Sequence, residues 1–336
     1  MRVLLTAVGT RGDVQPALAL ALELRNLGHE VRLCISPNFV DWAKSLGLEA
    51  VAMGVVMRMP KPKSGAMPTL TPEELRRLRE SLPDLITDQF ETVGAAADHC
   101  DVIVGANAHQ YAAPSIAEHA GIGCVTAVYA PVALPSPELA PPPTPGHAID
   151  PARTTVEEQW RNTAKAWNER ALDRINRNRG RLGMDPIDDV LDYVLTDHTW
   201  LAADAALAPV PATPGRQIFQ TGTGDVTYDL LFPRVAAVLH LGGAGTTAAA
   251  ARAGVPQVVT PMFGDEFYWA SRIVDLRVGA ATPHATMTEE SLAGALCEVL
   301  DSGVVDRART LGTQVSCDGA EVAARRLEAE YGGRKR

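Results

Sequence analysis

The strongest candidate for ligand chemistry is the glycine-rich segment His240–Thr247, which follows an apolar strand pattern and opens an alanine-rich helix. Glycines let the backbone approach a ligand, while the first N–H groups and the dipole of a helix attract anions. We predict a diphosphate site here, with His240 as a further hydrogen-bond donor. The predicted backbone site consists of Gly242, Gly243, Ala244, Gly245 and Thr246. The alternative is a plain glycine turn in which Thr246 caps the helix.

A second candidate is the acidic pair Asp265 and Glu266, which follows the strand pattern at residues 257–261. Carboxylates accept hydrogen bonds without donating them, so an adjacent pair suits the vicinal hydroxyls of a sugar. The alternative is structural, since Asp265 is also placed to cap the helix that begins near Phe267. Taken alone, the pattern favours the cap, and the two roles are compatible.

The third candidate comes directly after the first strand, in the segment GTRGDVQP at residues 9–16. Asp13 is placed to take a proton from a hydroxyl nucleophile, and it is equally well placed to cap the following helix. His109 follows a later strand and competes for the role of base. Because parallel strands end at one edge of a sheet, we predict that Arg11, Gly12 and His109 line the same crevice.

Composition excludes several classes of partner. The chain has 336 residues and a net charge of −9, so nucleic acid, which needs a basic surface, is not expected. No stretch approaches the roughly 18 apolar residues of a membrane span, and the N-terminus lacks a signal-peptide pattern. The five cysteines are scattered without metal-ligand spacing, which is typical of a reduced, cytoplasmic protein without a bound metal.

The elements that must position these residues follow a simple alternation. Residues 1–130 alternate between short apolar strand patterns and longer helical patterns, which predicts a doubly wound α/β sheet with parallel strands. Proline-rich segments at 55–72 and 131–152 are predicted to be long loops at the carboxyl ends of strands. A long helix is predicted at 156–181.

The proline-rich segment PVPATPG at residues 209–215 predicts a stiff linker between two domains. We assign residues 1–208 to the first domain, 209–222 to the linker and 223–336 to the second domain. After the linker only three strand patterns are recognisable, which is a thin sheet for an independent α/β domain. The second domain is therefore expected to be incomplete.

Together these motifs resemble the bacterial natural-product glycosyltransferases of glycosyltransferase family one. That family has the GT-B fold, in which two Rossmann-like, doubly wound domains face a cleft. Members that act on glycopeptide antibiotics look most similar, and the resemblance runs nearly end to end. It rests on residues 9–13, 196–204, 220–222, 231–238, 240–247, 253–257 and 318–320.

The resemblance implies an inverting, metal-independent transfer of a hexose to a hydroxyl of an antibiotic-like aglycone. The donor would be a UDP- or dTDP-sugar, and no cofactor would be needed. The first domain would bind the acceptor and the second the donor, and the last helix would return to the first domain. We expect a monomer or a weak homodimer without integral membrane association.

The resemblance also implies roles for single residues. Asp13 matches the general base, and His240 with residues 243–246 matches the donor diphosphate site. Asp265 and Glu266 match the pair that binds sugar hydroxyls. Val226 would lie in the loop that meets the nucleotide base.

Three features depart from the family pattern. Leu241 stands where relatives often have a second histidine, and Glu266 stands where glutamine is usual, which puts the sugar preference in doubt. Between Gly222 and Gly224 about two βα units of roughly 30 residues each are missing. Either the printed sequence joins two separated segments or the protein lacks them. The first interpretation is favoured, because a deletion exposes apolar strand edges.

Two other functions remain open at this point. A chain with an incomplete donor domain would be a non-catalytic binding or accessory protein derived from a glycosyltransferase. Sterol and lipid glycosyltransferases share several of the motifs and provide the other alternative.

Overall fold

The computed structural model describes residues 1–56, 84–142, 154–223 and 231–333. Within these ranges the chain forms two units, each built on a parallel sheet with helices on its faces. The predicted α/β class is therefore confirmed. Val226, most of the predicted loop at 55–72 and much of the loop at 131–152 lie outside the described residues.

The first sheet has seven parallel strands in the order β3-β2-β1-β4-β5-β6-β7. Its central strands are apolar at successive positions because helices cover both faces. The strands are β1 Arg2–Ala7, β2 Glu30–Ile35, β3 Glu49–Ala52, β4 Val102–Ala106, β5 Gly123–Val128, β6 Thr199–Leu201 and β7 Phe219–Gln220. The strand order reverses between β1 and β4, so a crevice opens at their carboxyl ends.

Six helices that precede the second unit surround this sheet within the described ranges. They are α1 Arg11–Asn26, α2 Val40–Ser45, α3 Leu85–Ala96, α4 Ala113–Ala120, α5 Val156–Arg181 and α6 Val190–Val194. The long helix α5 has the predicted bounds. It begins at a capping box in which the Glu158 N–H donates to Thr155 Oγ1 at 3.2 Å and Glu158 Oε2 accepts from the Thr155 N–H at 2.8 Å.

The second sheet has three parallel strands, the number that the sequence predicted, and their order is β10-β9-β8. The strands are β8 Val238–His240, β9 Gln257–Val259 and β10 Gly279–Ala281. The helices of this unit are α7 Ala244–Arg252, α8 Glu266–Asp275, α9 Glu289–Val299 and α10 Ser302–Gly312. In the part of the chain that the structure describes, β8 is the outer strand of a thin sheet.

The linker is shorter than predicted, because its end belongs to the first sheet. Strand β7 lies inside the predicted linker at 209–222 and pairs with β6, with Phe219 opposite Trp200 and Gln220 opposite Leu201. Two residues after a proline-rich stretch are too few to show a strand periodicity. The sequence pattern therefore placed the boundary too early.

Polar contacts join the end of the first unit to the second unit. The backbone N–H of Ser316 donates to Asp204 Oδ2 at 2.9 Å, and Arg272 Nε donates to the Leu207 carbonyl at 2.8 Å. The last helix, α11 Gly319–Tyr331, lies against the first unit, where Leu327 and Tyr331 join the core beside α1. This crossing holds the second unit against the first.

No helix in the described ranges is long and apolar enough to cross a membrane. All five cysteines are free thiols. Burial raises the pKa of Cys34 and of Cys124 to about 12, so these two thiols stay protonated and poorly nucleophilic. Cys297 and Cys317 lie on the surface.

Candidate active site

The carboxylate of Asp13 lies at the crevice between β1 and β4, in the first turn of α1. Its Oδ2 accepts from the N–H and the hydroxyl of Thr10 at 2.7 and 3.1 Å. Its Oδ1 accepts from Asn107 Nδ2 at 3.0 Å. Thr10 occupies the N-cap position and Asp13 is the third helical residue, so Asp13 supports the cap from within the helix. Asp13 therefore does not occupy the N-cap position, which was one of the two roles that the sequence left open.

Gly9 makes this position of Asp13 sterically accessible. Its φ is +145°, and a Cβ built on it would lie 2.1 Å from Asp13 Oδ2. A side chain at this position would push the carboxylate away. The tight approach explains why a glycine stands where β1 turns into α1.

His109 lies on the other side of the crevice, after β4. Its ring stacks on Trp167 with centroids 5.1 Å apart, and its Nδ1 lies 3.1 Å from the hydroxyl of Tyr111. Part of the residue is exposed to solvent, but protein atoms surround the ring and disfavour its charged form, which lowers the pKa of His109. The nearby Asp13 carboxylate opposes that shift. At neutral pH the ring is therefore uncharged. Together with Tyr111 and Trp167 it forms a cluster of rings that we call the aromatic wall.

The other two predicted crevice residues lie at the start of α1. Arg11 Nε donates to Gln15 Oε1 at 2.9 Å, and its guanidinium lies 5.2 Å from the ring centroid of Trp42 on α2. Gly12 is exposed in the same turn. These contacts turn Arg11 towards α2, while Asp13 and His109 share the crevice.

His240 ends β8, and both of its ring nitrogens have partners. Nε2 lies 2.8 Å from Gln257 Oε1, and Nδ1 accepts from the Gly242 N–H at 3.0 Å. The partners assign the proton to Nε2, because an amide oxygen can only accept and a backbone N–H can only donate. Burial lowers the pKa of His240, against the effect of the bond to Gln257, so the ring is neutral. A bond from His240 to a phosphate would require one of these two bonds to break.

The N-terminus of α7 presents backbone donors beside His240 that have no partner within the helix. Gly243 occupies the N-cap position without a side chain, and an added Cβ on Gly243 or Gly245 would meet nothing within 4 Å. The first N–H groups of a helix have no partner within the helix, so Ala244, Gly245 and Thr246 offer N–H groups to an anion. The predicted Thr246 cap is not seen. It is Thr247 whose hydroxyl donates to the Gly243 carbonyl, at 3.0 Å.

The two acidic residues after β9 differ in what they contact. Glu266 is buried, and its Oε2 accepts from the N–H groups of Met262 and Phe263 at 2.7 and 3.1 Å. It therefore shapes its own loop. Asp265 Oδ2 accepts from the Trp269 indole at 3.0 Å, and Asp265 makes no side-chain cap bond although it stands at the N-cap position. The predicted cap role of Asp265 is not realised.

The electrostatics of Asp265 relates the two units. Burial raises the pKa of Asp265, the Trp269 bond opposes the rise, and the charges of Glu266 and Asp13 add to it. Asp13 belongs to the first unit and Asp265 to the second, and the effect of Asp13 on the pKa of Asp265 means that their charges interact across the two units. Gly242 brings the loops of the second unit together, since an added Cβ would lie 3.0 Å from the Glu266 carbonyl. The loop that precedes α7 therefore packs against the loop that carries the acidic pair, and Asp265 of that pair is within electrostatic range of Asp13.

Sequence reasoning missed four residues of this site. These residues are Asn107 and Tyr129, which contact Asp13, Trp167, which contacts His109, and Gln257, which contacts His240. The Tyr129 hydroxyl donates to the backbone carbonyl of Asp13 at 2.9 Å. Only Asn107 had a usable pattern, as a polar residue directly after a buried strand. The others act through contacts distant in sequence. Val226 lies outside the described residues.

Two family models match the chain. The glycosyltransferase family 28 N-terminal domain matches residues 3–135, and the erythromycin biosynthesis protein CIII-like C-terminal domain matches residues 223–323. Glycosyltransferase GtfE of Amycolatopsis orientalis is 32% identical over 410 positions, covering 100% of this chain and 99% of the relative. The vancomycin aglycone glucosyltransferase of the same organism is 31% identical, covering 97% of each chain.

A solved structure supports the fold. The glycotransferase of kitacinnamycin superposes with a TM-score of 0.68 at 16% identity and covers 98% of this chain and 99% of its own. The chain belongs to the family of antibiotic glycosyltransferases, has the GT-B fold and is a glycosyltransferase. The predicted resemblance is confirmed.

The alignments also measure what this chain lacks. The match to GtfE extends over 410 positions and this chain has 336 residues, so at least 74 positions (410 minus 336) have no residue of this chain opposite them. That number is close to the two βα units whose absence the sequence indicated. It agrees with the three-stranded second sheet.

Proposed function

We propose that the protein transfers a hexose from a nucleoside-diphosphate sugar to a hydroxyl of an antibiotic-like aglycone, with inversion at the anomeric carbon. The observation that carries the proposal is that a fixed carboxylate, Asp13, is held by Thr10 and Asn107 within electrostatic range of Asp265, which belongs to the unit whose open helix N-terminus can receive a diphosphate. The relative named as a vancomycin aglycone glucosyltransferase supports this class of acceptor. Independence of metal and of any cofactor remains part of the proposal.

In this mechanism Asp13 is the general base. The acceptor hydroxyl attacks the anomeric carbon, its proton passes to the Asp13 carboxylate, and the bond from carbon to the diphosphate oxygen breaks. The charge that develops on the diphosphate is stabilised by the N–H groups of Ala244, Gly245 and Thr246. His240 fixes the preceding turn through Gly242 and reaches the phosphate only if that turn rearranges.

The structure favours unequal roles for the acidic pair. Asp265 is proposed to accept hydrogen bonds from the sugar hydroxyls, since its Oδ2 accepts from the Trp269 indole and does not hold the backbone of the loop as Glu266 does. Glu266 is proposed to build the loop that presents Asp265, because its Oε2 already serves two backbone N–H groups. The glutamic acid in place of the usual glutamine then affects loop shape more than sugar contacts.

The aromatic wall of His109, Tyr111 and Trp167 is proposed to line the acceptor side of the crevice. His109 competes poorly as the base because its hydrogen-bond partner is a tyrosine hydroxyl and its ring is stacked on Trp167. The lowered pKa of His109 suits a neutral wall. Asp13 is therefore preferred as the proton acceptor.

Replacing Asp13 with Asn tests the proposal. The amide keeps the shape of the carboxylate but accepts no proton, so kcat should fall about 100-fold or more, the usual contribution of a general base. Donor affinity should stay within about twofold. Steady-state kinetics and calorimetric titration with the donor measure the two quantities. A variant with wild-type kcat removes Asp13 from the mechanism.

A second function, that of a non-catalytic binding protein, is favoured by the three-stranded second sheet. A chain without the missing βα units would keep the acceptor unit and lose donor affinity. Saturable binding of a nucleoside diphosphate by the protein distinguishes an enzyme from a binding protein. Absence of binding, with retention of an aglycone, supports the second function.

A further inference from the structure

We propose that Asn107 is a positioning residue that holds the Asp13 carboxylate in the orientation needed to take the acceptor proton. The inference rests on the proposed role of Asp13 as the base. It goes beyond that role by identifying the group that aims the base. Asn107 follows β4, the strand that pairs with β1 in the centre of the first sheet.

The amide of Asn107 uses all of its hydrogen-bonding capacity. Its Nδ2 donates to Asp13 Oδ1 at 3.0 Å and to the Val8 carbonyl at 3.1 Å. Its Oδ1 accepts from the His109 N–H at 2.9 Å and from Gln110 Nε2 at 3.3 Å. Rotating the amide by half a turn would place its oxygen against two acceptors, so the partners fix which side faces Asp13.

The backbone conformation at position 107 limits which residue types can occupy it without strain. The φ of Asn107 is +71°, in the left-handed region that asparagine, aspartate and glycine adopt more readily than other residues. Of these three, only asparagine carries a donor that can reach a carboxylate. The position therefore combines a backbone requirement with a requirement for an N–H facing Asp13.

The contacts with Thr10 and Asn107 hold the carboxylate at both oxygens. Thr10 binds Oδ2 and Asn107 binds Oδ1, so rotation of the carboxylate about its bond to Cβ is restrained. Each oxygen of a carboxylate has two lone pairs, so a site for the incoming proton remains. A neutral amide does not take that proton, so it ends on Asp13 and Asn107 is unchanged by the reaction.

Asn107 also relates the base to the aromatic wall. Because its Oδ1 accepts from the His109 N–H, the same side chain sets the start of the loop that carries the ring stacked on Trp167. Loss of the amide should therefore misplace the base relative to the bound acceptor. The donor site in the second unit should not be affected.

Two variants separate the amide from the backbone. Asn107→Gly keeps the left-handed backbone without strain and removes the amide, while Asn107→Asp keeps the shape but turns an acceptor towards Asp13. In both, kcat should fall about 10- to 100-fold, the usual cost of misplacing a reacting group by about 1 Å. The KM and the calorimetric affinity for the donor should stay within about twofold. In Asn107→Asp, kcat should partly recover as pH is lowered, because the protonated new carboxyl can donate again.

A double variant distinguishes positioning from a general structural effect. If Asn107 acts through Asp13, adding Asn107→Gly to Asp13→Asn should lower kcat no further than Asp13→Asn alone. Additive losses in the double variant, or wild-type kcat in both single variants, overturn the inference. If those single variants are fully active while Asp13→Asn is inactive, the base stands and only the role of Asn107 fails. If Asp13→Asn is itself active, the proposed function fails first.

Discussion

At the scale of single residues, Asp13 is placed by neighbours that sequence patterns do not reveal. The sequence identified the acid and left two roles open, a cap and a base. In the structure the cap position belongs to Thr10, and the Asp13 carboxylate also accepts a hydrogen bond from Asn107, which follows β4. Contacts 94 residues apart along the chain have no periodicity that a single sequence can show. This is why the base was predicted and its support was missed.

Gly9 provides a test of how closely the carboxylate must be placed. Gly9→Ala would put a Cβ 2.1 Å from Asp13 Oδ2, so the carboxylate must move and kcat should fall about 10-fold or more. Gly12→Ala is the matched control, since its Cβ would lie 3.7 Å from Thr10 Oγ1 and alanine favours the helix. Kinetics of both variants measure the effect. Equal activity in the two would show that the approach at Gly9 does not matter.

At the scale of elements, the sequence predicted most helices and strands but not the side-chain contacts that attach them to one another. The bounds of α5 follow from its capping box and its long helical periodicity. What attaches α5 to its neighbours is Arg179, which is 4% exposed and donates to Glu118 on α4 and Tyr193 on α6. An arginine in a polar helix gives no sign that it is buried. Only the packed structure shows it.

We predict that Arg179→Ala lowers the free energy of unfolding by about 3 kcal/mol, because it removes a buried guanidinium together with its hydrogen bonds to Glu118, Tyr193 and the Asp185 carbonyl. The Arg179 hydrogen bond, together with its charge, lowers the pKa of Glu118 below the usual 4.5. The contribution of the Arg179–Glu118 pair to stability is therefore present above pH 4.5 and is lost as the pH falls through the lowered pKa of Glu118. Urea unfolding across pH measures both effects. The exposed Arg161→Ala should change stability by about 0.5 kcal/mol or less, and an equal loss in both variants would contradict the prediction.

At the scale of the whole molecule, the thin second sheet leaves apolar surface open. In the described part of the chain β8 is the outer strand, and Leu239 and Leu241 beside its free edge are 49% and 43% exposed. Residues 235–239 carry no charged side chain that would oppose edge pairing. The sequence analysis predicted the three strands, because counting strand patterns needs no tertiary contact, and it used such an exposed apolar edge as the argument against a true deletion.

We predict that the protein self-associates weakly through this edge at high concentration. Replacing Leu239 and Leu241 together with Lys should shift the monomer–dimer equilibrium towards monomer by about 10-fold or more, since two buried apolar side chains are lost and charges repel. Val274→Lys, at an exposed apolar position on α8, should not change it. Sedimentation equilibrium decides. A wild-type protein that is monomeric at all concentrations contradicts the prediction.

The central claim is that this short chain still binds a donor diphosphate at the N-terminus of α7. Calorimetric titration of UDP and dTDP into the 35.8 kDa protein tests it most directly, with Ala244→Pro and Ala244→Ser as a matched pair. Proline is tolerated at the first helical position and removes one N–H, whereas serine keeps it. The wild-type protein should bind the nucleotide saturably, Ala244→Pro should weaken this binding about 10-fold, and Ala244→Ser should leave it unchanged. No binding of either nucleotide by the wild-type protein would contradict the claim.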